Sequence, residues 1–308
     1  MITVLAGGVG AARLLRGLVR VVDPVEVVVV ANTGDDLVLH GLHVSPDLDT
    51  ITYTLAGAGN PETGWGLAGE TWQAMASLDH YGGPTWFRLG DRDLGTHLFR
   101  TGRLADGAGL AGVTAEVAEA WGLGFRLLPA TEDRLRTMVT LADGDEVGFQ
   151  EYFVGLRHDV PVSGIRFDGA DDALPGPGVL EAITTAEAVV IAPSNPLVSI
   201  APILAVPGVR DAVAARRESA VAVSPIVGGS ALKGPADRML AEMGHESSVV
   251  GVARLYRDLV ATLVIDRVDA DLADEVEAEG VRCVVTDTVM RTTEVAAALA
   301  ETTLGAVA

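Results

Sequence analysis

Ile2-Thr3-Val4-Leu5-Ala6-Gly7-Gly8-Val9-Gly10-Ala11-Ala12-Arg13-Leu14-Leu15 decides the fold class. Five residues suited to a buried strand run into a glycine turn. Ala11–Val19 then carries leucines at 14, 15 and 18, the spacing of a helix with one apolar face. A second apolar run, Val25–Ala31, follows. Its valines are continuous rather than alternating, as expected of a parallel strand buried on both sides. Strand, helix, strand in this order is a βαβ unit, so the chain is of the α/β class with a mostly parallel sheet.

The same rhythm extends outward. Ser45-Pro46 opens a helix, with Ser45 suited to cap it, Pro46 to its first turn, and Leu48, Ile51 and Leu55 to its apolar face. Beyond the glycine-rich loop 56–66 the pattern predicts helices near Leu67–Leu78, Asp91–Phe99 and Thr114–Trp121, with a short strand at Trp86–Leu89. The middle differs. Met138–Ala142 and Val147–Val154 flank Asp143-Gly144-Asp145 as in a hairpin, and 159–177 is loop with a strand at Ile165–Phe167. Strands then return at Ala188–Ala192, Ala220–Val223, Thr262–Ile265 and Arg282–Val285, separated by helices, one of them over Val249–Leu259. The expected organisation is therefore a core of residues 1–124 and 179–308 with a smaller mixed insertion at 125–178. Several strands end in polar or glycine loops, where ligands bind in open parallel sheets.

Composition narrows the function. The chain has 308 residues, 49% of them hydrophobic, and 22 basic against 42 acidic side chains give a net charge of −20. Mean hydropathy is +0.34. This supports a large core and excludes global disorder. So acidic a chain does not wrap duplex DNA or attach by charge to an anionic membrane. Cys283 is the single cysteine, so it forms neither an internal disulfide nor a cysteine-rich metal site, and it reads as an inert thiol in a strand. No stretch approaches the ~20 apolar residues of a spanning helix, and no signal peptide is visible. The expected compartment is the cytoplasm.

Certain loops carry chemistry. Gly7-Gly8-Val9-Gly10 permits close backbone approach and turns helix N–H groups toward an anion, or it is a tight turn with nothing bound. Position 13 is Arg, not the glycine of the dinucleotide fingerprint, and no Gly-Lys-Ser/Thr follows, so this is not a P-loop. Arg13 can reach a phosphate or solvate the helix face. Asn32-Thr33-Gly34-Asp35-Asp36 ends the second strand. Asp35 and Asp49, on separate segments, can converge on Mg²⁺ bound to a phosphate, or serve as ordinary caps, while Asp47 reads as charge at a helix start. Gly90–Asp93 with His97 is dense in polar groups, with Arg92 a candidate phosphate clamp. Gln150–Phe153 offers aromatic surface for a planar ligand or for the core. Pro193–Pro196 and Ser224–Ser230 occupy strand-to-helix junctions, and Lys233 beyond them can neutralise phosphate.

In this order the strings Leu5–Leu14, Asn32–Asp36, His40–Thr50, Asn60–Gly66, Gly90–Asp93, Ala192–Pro196 and Ser224–Gly229 resemble the 2-phospho-L-lactate transferase family of coenzyme F420 biosynthesis. The resemblance spans essentially the whole chain. It implies a Rossmann-like, three-layer core and a homodimer. It also implies a Mg²⁺-dependent transferase of substituted phosphate groups. Such an enzyme moves a phospholactyl or phosphoenolpyruvyl unit from a guanylated donor to the ribityl hydroxyl of the deazaflavin Fo, giving F420-0 or its dehydro form plus GMP. Candidate catalytic residues are Asp49 and Asp36, and candidate metal ligands Asp35 and Asp49. Candidate ligand-binding residues are Gly7, Gly8, Val9, Gly10, Arg13, Asn32, Asn60, Thr63, Trp65, Arg92, His97, Ser194, Asn195, Gly228 and Gly229. The donor is expected across the glycine turn and the later loops, and Fo toward Asn60–Trp65, Asp91–His97 and the insertion. The alternative is a nucleotide-sugar-binding regulatory protein of a related Rossmann-like group.

Overall fold

The computed structural model describes residues 1–307. Its strands in chain order are β1 (Ile2–Ala6), β2 (Val27–Ala31), β3 (Leu37–Leu39), β4 (Leu42–Val44), β5 (Arg126–Pro129), β6 (Arg136–Leu141), β7 (Glu146–Gly148), β8 (Val162–Asp168), β9 (Ala188–Ile191), β10 (Ala220–Val223), β11 (Ile226–Val227), β12 (Ser230–Ala231), β13 (Thr262–Asp266) and β14 (Arg282–Thr286). The first five α-helices are α1 (Gly8–Val21), α2 (Pro46–Leu55), α3 (Gln73–His80), α4 (Asp93–Ala105) and α5 (Leu110–Ala120).

Seven strands form the central sheet in the order β14-β13-β10-β9-β1-β2-β5, every pair parallel. The continuous valines of β2 serve both faces. Val28 and Val30 pack with Ile191, Ile203 and Leu263, while Val27 and Val29 pack with Leu14, Leu15 and Leu299. The fold is thus the expected Rossmann-like three-layer arrangement with small antiparallel additions. From β1 the chain builds outward through β2 to β5, then returns to the other side of β1 with β9. The connections after β1 and β9 therefore lead to opposite sides of the sheet, and this switch point marks the end at which such sheets bind ligands.

The excursion begins later than expected. β5 lies inside the segment 125–178 but is the edge strand of the central sheet. The addition proper is the antiparallel sheet β7-β6-β8. It is not independently packed, because Val139, Tyr152 and Val162 share a cluster with Val198 and Met239 of the main body. Within it, the extended run expected over Val147–Val154 is broken. β7 ends at Gly148 and Glu151–Gly155 coils into one π-helical turn.

Other differences have local causes. Trp86–Leu89 forms no strand, and Leu89 is instead buried against the β3–β4 hairpin. The helix expected from Leu67 starts at Gln73, because the Asp91 carboxylate accepts from the Gln73 and Ala74 amides and fixes the start of α3 there. Glu70 returns the favour at α4 by accepting from the Arg92 and Asp93 amides, so α4 begins at Asp93 and runs beyond Phe99 to Ala105. The helix expected over Val249–Leu259 stops at Tyr256. Ser45 precedes α2 without capping it, since its hydroxyl donates to Asp36 Oδ2 at 2.7 Å. Cys283 is half-buried, and burial pushes its thiol up to about 11. Among the described residues no helix is long and apolar enough to cross a membrane.

Candidate active site

A cleft of about 470 Å³ opens at the carboxyl ends of β1, β9 and β10. The glycine turn is its centre. Gly8 has φ +72°, a conformation that side chains resist. At Gly10 an added Cβ would lie 2.2 Å from the Pro193 carbonyl oxygen, so the turn after β1 packs directly on the loop after β9. Gly7 N donates to Ser194 Oγ at 3.3 Å and Gly8 N to Asp47 Oδ1 at 2.8 Å. The first N–H groups of a helix have no acceptor within it. With two used this way, those of Val9 and Gly10 remain for a ligand.

Two carboxylates stand beside the turn without a cation. Asn32 is wholly buried and donates from Nδ2 to Asp47 Oδ2 at 2.9 Å and to the Val198 carbonyl at 3.4 Å, while its Oδ1 accepts from Gly34 N. Asp47 is therefore held only by neutral donors. Burial raises it to about 6, against the opposing effect of the Asn32 and Gly8 hydrogen bonds. Asp35 is raised well above the usual range by burial and then by the neighbouring charge of Asp47. Its Oδ2 accepts weakly from Gln150 Nε2 at 3.5 Å, and its buried Oδ1 has no partner.

A second group of acids is paired. Asp49 Oδ2 accepts from Arg100 Nη1 at 3.1 Å and Oδ1 from Nη2 of the same guanidinium. Burial alone would lower Arg100, but Asp49 outweighs it and the cation is held more firmly than usual. His97 lies between two carboxylates, Nδ1 3.7 Å from Asp49 Oδ2 and Nε2 3.2 Å from Asp93 Oδ2. Burial would raise Asp93, yet the neighbouring His97, Tyr53 and Arg100 keep it below its ordinary value. Tyr53 donates to Asp93 Oδ1 at 2.6 Å, and burial, then the adjacent acids, push its phenol far up.

The expected residues divide accordingly. Gly7, Gly8, Val9, Gly10, Arg13, Asp35, Asp49, Thr63, Trp65, His97, Ser194 and Asn195 line the cleft, as do Phe149, Gln150 and Phe153 of the insertion. Asn32 lies behind the lining and orients Asp47. Asn60 folds its own loop, its Oδ1 accepting from Glu62 N at 2.9 Å. Arg92 is turned away, with Nη1 donating to the Ala68 carbonyl. Gly228 and Gly229 make the β11–β12 turn, where Gly228 N donates to Asp269. Asp36 borders a separate hollow of about 100 Å³ with Trp86 and Arg136, and its carboxyl is raised by burial despite the Ser45 hydroxyl. Sequence reasoning gave no site role to Asp47, Tyr53, Arg88 or Arg100. Arg88 lines the cleft with its guanidinium 4.2 Å from the Trp72 ring centre. The spacing of Asp93, His97 and Arg100 on one helical face was a usable signal for the buried network.

Comparison with known proteins gives the family. The sequence profile of the family described as 2-phospho-L-lactate transferase CofD matches residues 2–304. A phosphoenolpyruvate transferase of Streptomyces griseus subsp. griseus is 47% identical over 308 residues, covering 98% of this chain and 97% of the relative. One of Mycolicibacterium smegmatis with the same name is 41% identical over 313 residues, covering 97% and 96%. The crystal structure of a UPF0052 family protein from Bacillus halodurans matches at a TM-score of 0.63 and 18% identity, with 98% of both chains covered, which shows a shared fold. The chain belongs to the 2-phospho-L-lactate transferase CofD family.

Proposed function

We propose that this transferase moves a phosphoenolpyruvyl unit from a guanylated donor to the ribityl hydroxyl of the deazaflavin Fo, releasing GMP, in coenzyme F420 biosynthesis. The observation that carries the proposal is the continuity of one cleft from the glycine turn, past Asp35 and Asp47, to the aromatic edge of the insertion. That cleft joins a phosphate-type turn to an aromatic edge, in a chain whose relatives bear the phosphoenolpyruvate transferase name. A structural module with no ligand would leave the cleft without a use.

Asp35 and Asp47 fit a hard divalent cation. They are buried, close enough for one charge to shift the other, and Asp35 Oδ1 lacks any partner. Among the described residues no third His, Cys, Asp or Glu joins them. That is the expected donor set for Mg²⁺, which takes one or two carboxylates and completes its shell with phosphate and water. When bound, the ion would offset charge on the transferring phosphoryl group.

The remaining work belongs to the chain. Val9 and Gly10 amides and Arg13 hold donor phosphate. Asp49, held in place by Arg100, accepts a hydrogen bond from the ribityl hydroxyl and orients it. The hydroxyl oxygen bonds to the enolpyruvyl phosphorus as the bond to GMP breaks, and its proton leaves to solvent. Holding the hydroxyl in line with the departing GMP is itself a catalytic contribution. Incubation with Fo, Mg²⁺ and either guanylated donor checks this. Dehydro-F420-0 and GMP should form, with the enolpyruvyl donor preferred by about tenfold or more. Folded protein giving no product with either donor would overturn the reading.

A further inference from the structure

Lys233 is the only lysine in the chain, since the other basic residues of the 22 are arginines. Among the described residues nine of the 21 arginines pair with carboxylates, as Arg100 does with Asp49, Arg166 with Glu146 and Arg254 with Glu279. Lys233 has no carboxylate within ion-pair distance among the described residues, although the protein is so acidic. It lines the cleft from the loop after β12 and reaches across the mouth. An atom at the Cβ position of Gly64 would lie 2.7 Å from its Nζ and 3.7 Å from Val9 Cγ1. The ammonium thus lies beside the Asn60–Gly66 loop, where that loop meets the Val9 side chain of the glycine turn.

We propose that Lys233 clamps the diphosphate of the guanylated donor against the glycine turn from across the cleft mouth. This rests on the transferase reading above. A compact ammonium on a flexible stem suits a phosphate whose position changes between the bound donor and the released GMP, where a planar guanidinium would favour one geometry. The clamp also draws the Asn60–Gly66 loop to the donor side, although its sequence suggested contact with Fo. The unpaired cation offsets the repulsion that Asp35 and Asp47 exert on an anionic donor.

A single lysine makes the test selective. The protein would be treated with an acetylating succinimidyl ester, and Lys233 followed by peptide mass spectrometry. The Met1 α-amine at the far end of β1 serves as internal control. Saturating GDP with Mg²⁺ should slow Lys233 acetylation about tenfold, whereas Fo or phosphoenolpyruvate alone should change it less than about twofold. Lys233→Met should weaken GDP about tenfold, the loss of one charge-assisted contact, while Lys233→Arg retains part of the affinity and Fo binding is unchanged. If GDP binds but leaves acetylation or the Lys233→Met affinity unaltered, the clamp is wrong and the transferase reading stands. Protection by Fo instead of GDP would place Lys233 on the acceptor and overturn the clamp. A wild-type chain that binds no GDP would overturn both.

Discussion

Asp47 and Asp49 sit two residues apart in the first turn of α2, 6% and 5% exposed, in opposite electrostatic surroundings. At about 100° per residue they point to different sides of the helix. Asp47 faces the glycine turn, Asn32 and the equally cation-free Asp35. Asp49 faces α4 and is gripped at both oxygens by Arg100, with His97, Asp93 and Tyr53 extending the network. A buried carboxylate with a built-in cation is compensated by it and acts as scaffold and acceptor. A buried carboxylate with only neutral donors is destabilised as an anion and gains from an incoming cation. The difference separates an acid that the fold itself neutralises from acids that await a cation.

The largest effect should come from breaking the paired side. Arg100→Met would leave Asp49 buried without its cation, an arrangement that costs about 3–5 kcal/mol. Urea denaturation should show the loss at unchanged m, and Asp49→Asn alone should also destabilise. The double variant Asp49→Asn/Arg100→Met should recover part of the loss, because no buried charge is then orphaned. An Arg100→Met protein within about 1 kcal/mol of wild type would erase the distinction between the two acids.

The unpaired side should break differently. Asp35→Asn and Asp47→Asn should fold, yet lose about 10²–10³ in kcat/KM, the scale of removing one group that stabilises transition-state charge. Steady-state kinetics across Mg²⁺ concentrations checks this beside circular dichroism. Asp35→Asn with wild-type rate and Mg²⁺ dependence would show that the cation sits elsewhere.

This contrast was only half legible in the sequence. Gly7–Gly10 and the valines of β2 were readable because their constraints are local: turn geometry and two-sided burial. Asp35, Asp36, Asp47 and Asp49 all stood out as acids, but their roles depend on partners that come from afar. Arg100 is 51 positions from Asp49, and Gln150 is 115 from Asp35. Arg92 looked like the clamp because it sits in a polar string, but Ala68 claims it. β5 escaped notice because Arg126-Leu127-Leu128-Pro129 is short and ends in proline, a combination tolerated at a sheet edge.

A pH titration sharpens the comparison at smaller amplitude. Asp35 is raised in the fold above the ordinary 3.8, first by burial and then by Asp47. Such a group contributes stability below its unfolded value and loses it as pH rises through the folded one. Ligand-free wild type should therefore weaken from about pH 4 upward at this site, and Asp35→Asn should not. The variant should match wild type near pH 4 and exceed it at pH 8 by about 1–3 kcal/mol, the scale of an unsatisfied buried group. Thermal melts at the two pH values decide it. An equal offset at both would mean that Asp35 carries the same charge throughout.

The smallest effect is expected at Tyr53, at the far end of the paired network. Tyr53→Phe keeps the ring and its edge-on packing against Trp121, with centroids 5.5 Å apart. It removes the hydroxyl that donates to Asp93 Oδ1 and also meets Thr96 Oγ1 at 2.8 Å, a half-buried hydroxyl that can turn to water instead. Asp93 retains His97 at 3.2 Å and the nearby Arg100, which keep its carboxyl below the ordinary value against burial. The loss should be one hydrogen bond to a charged acceptor, about 1–2 kcal/mol, well below that of Arg100→Met. Denaturation of the two variants side by side measures the gap. A Tyr53→Phe loss equal to that of Arg100→Met would mean that the phenol, rather than the cations, sustains the buried charges, and the division between paired and unpaired acids would have to be redrawn.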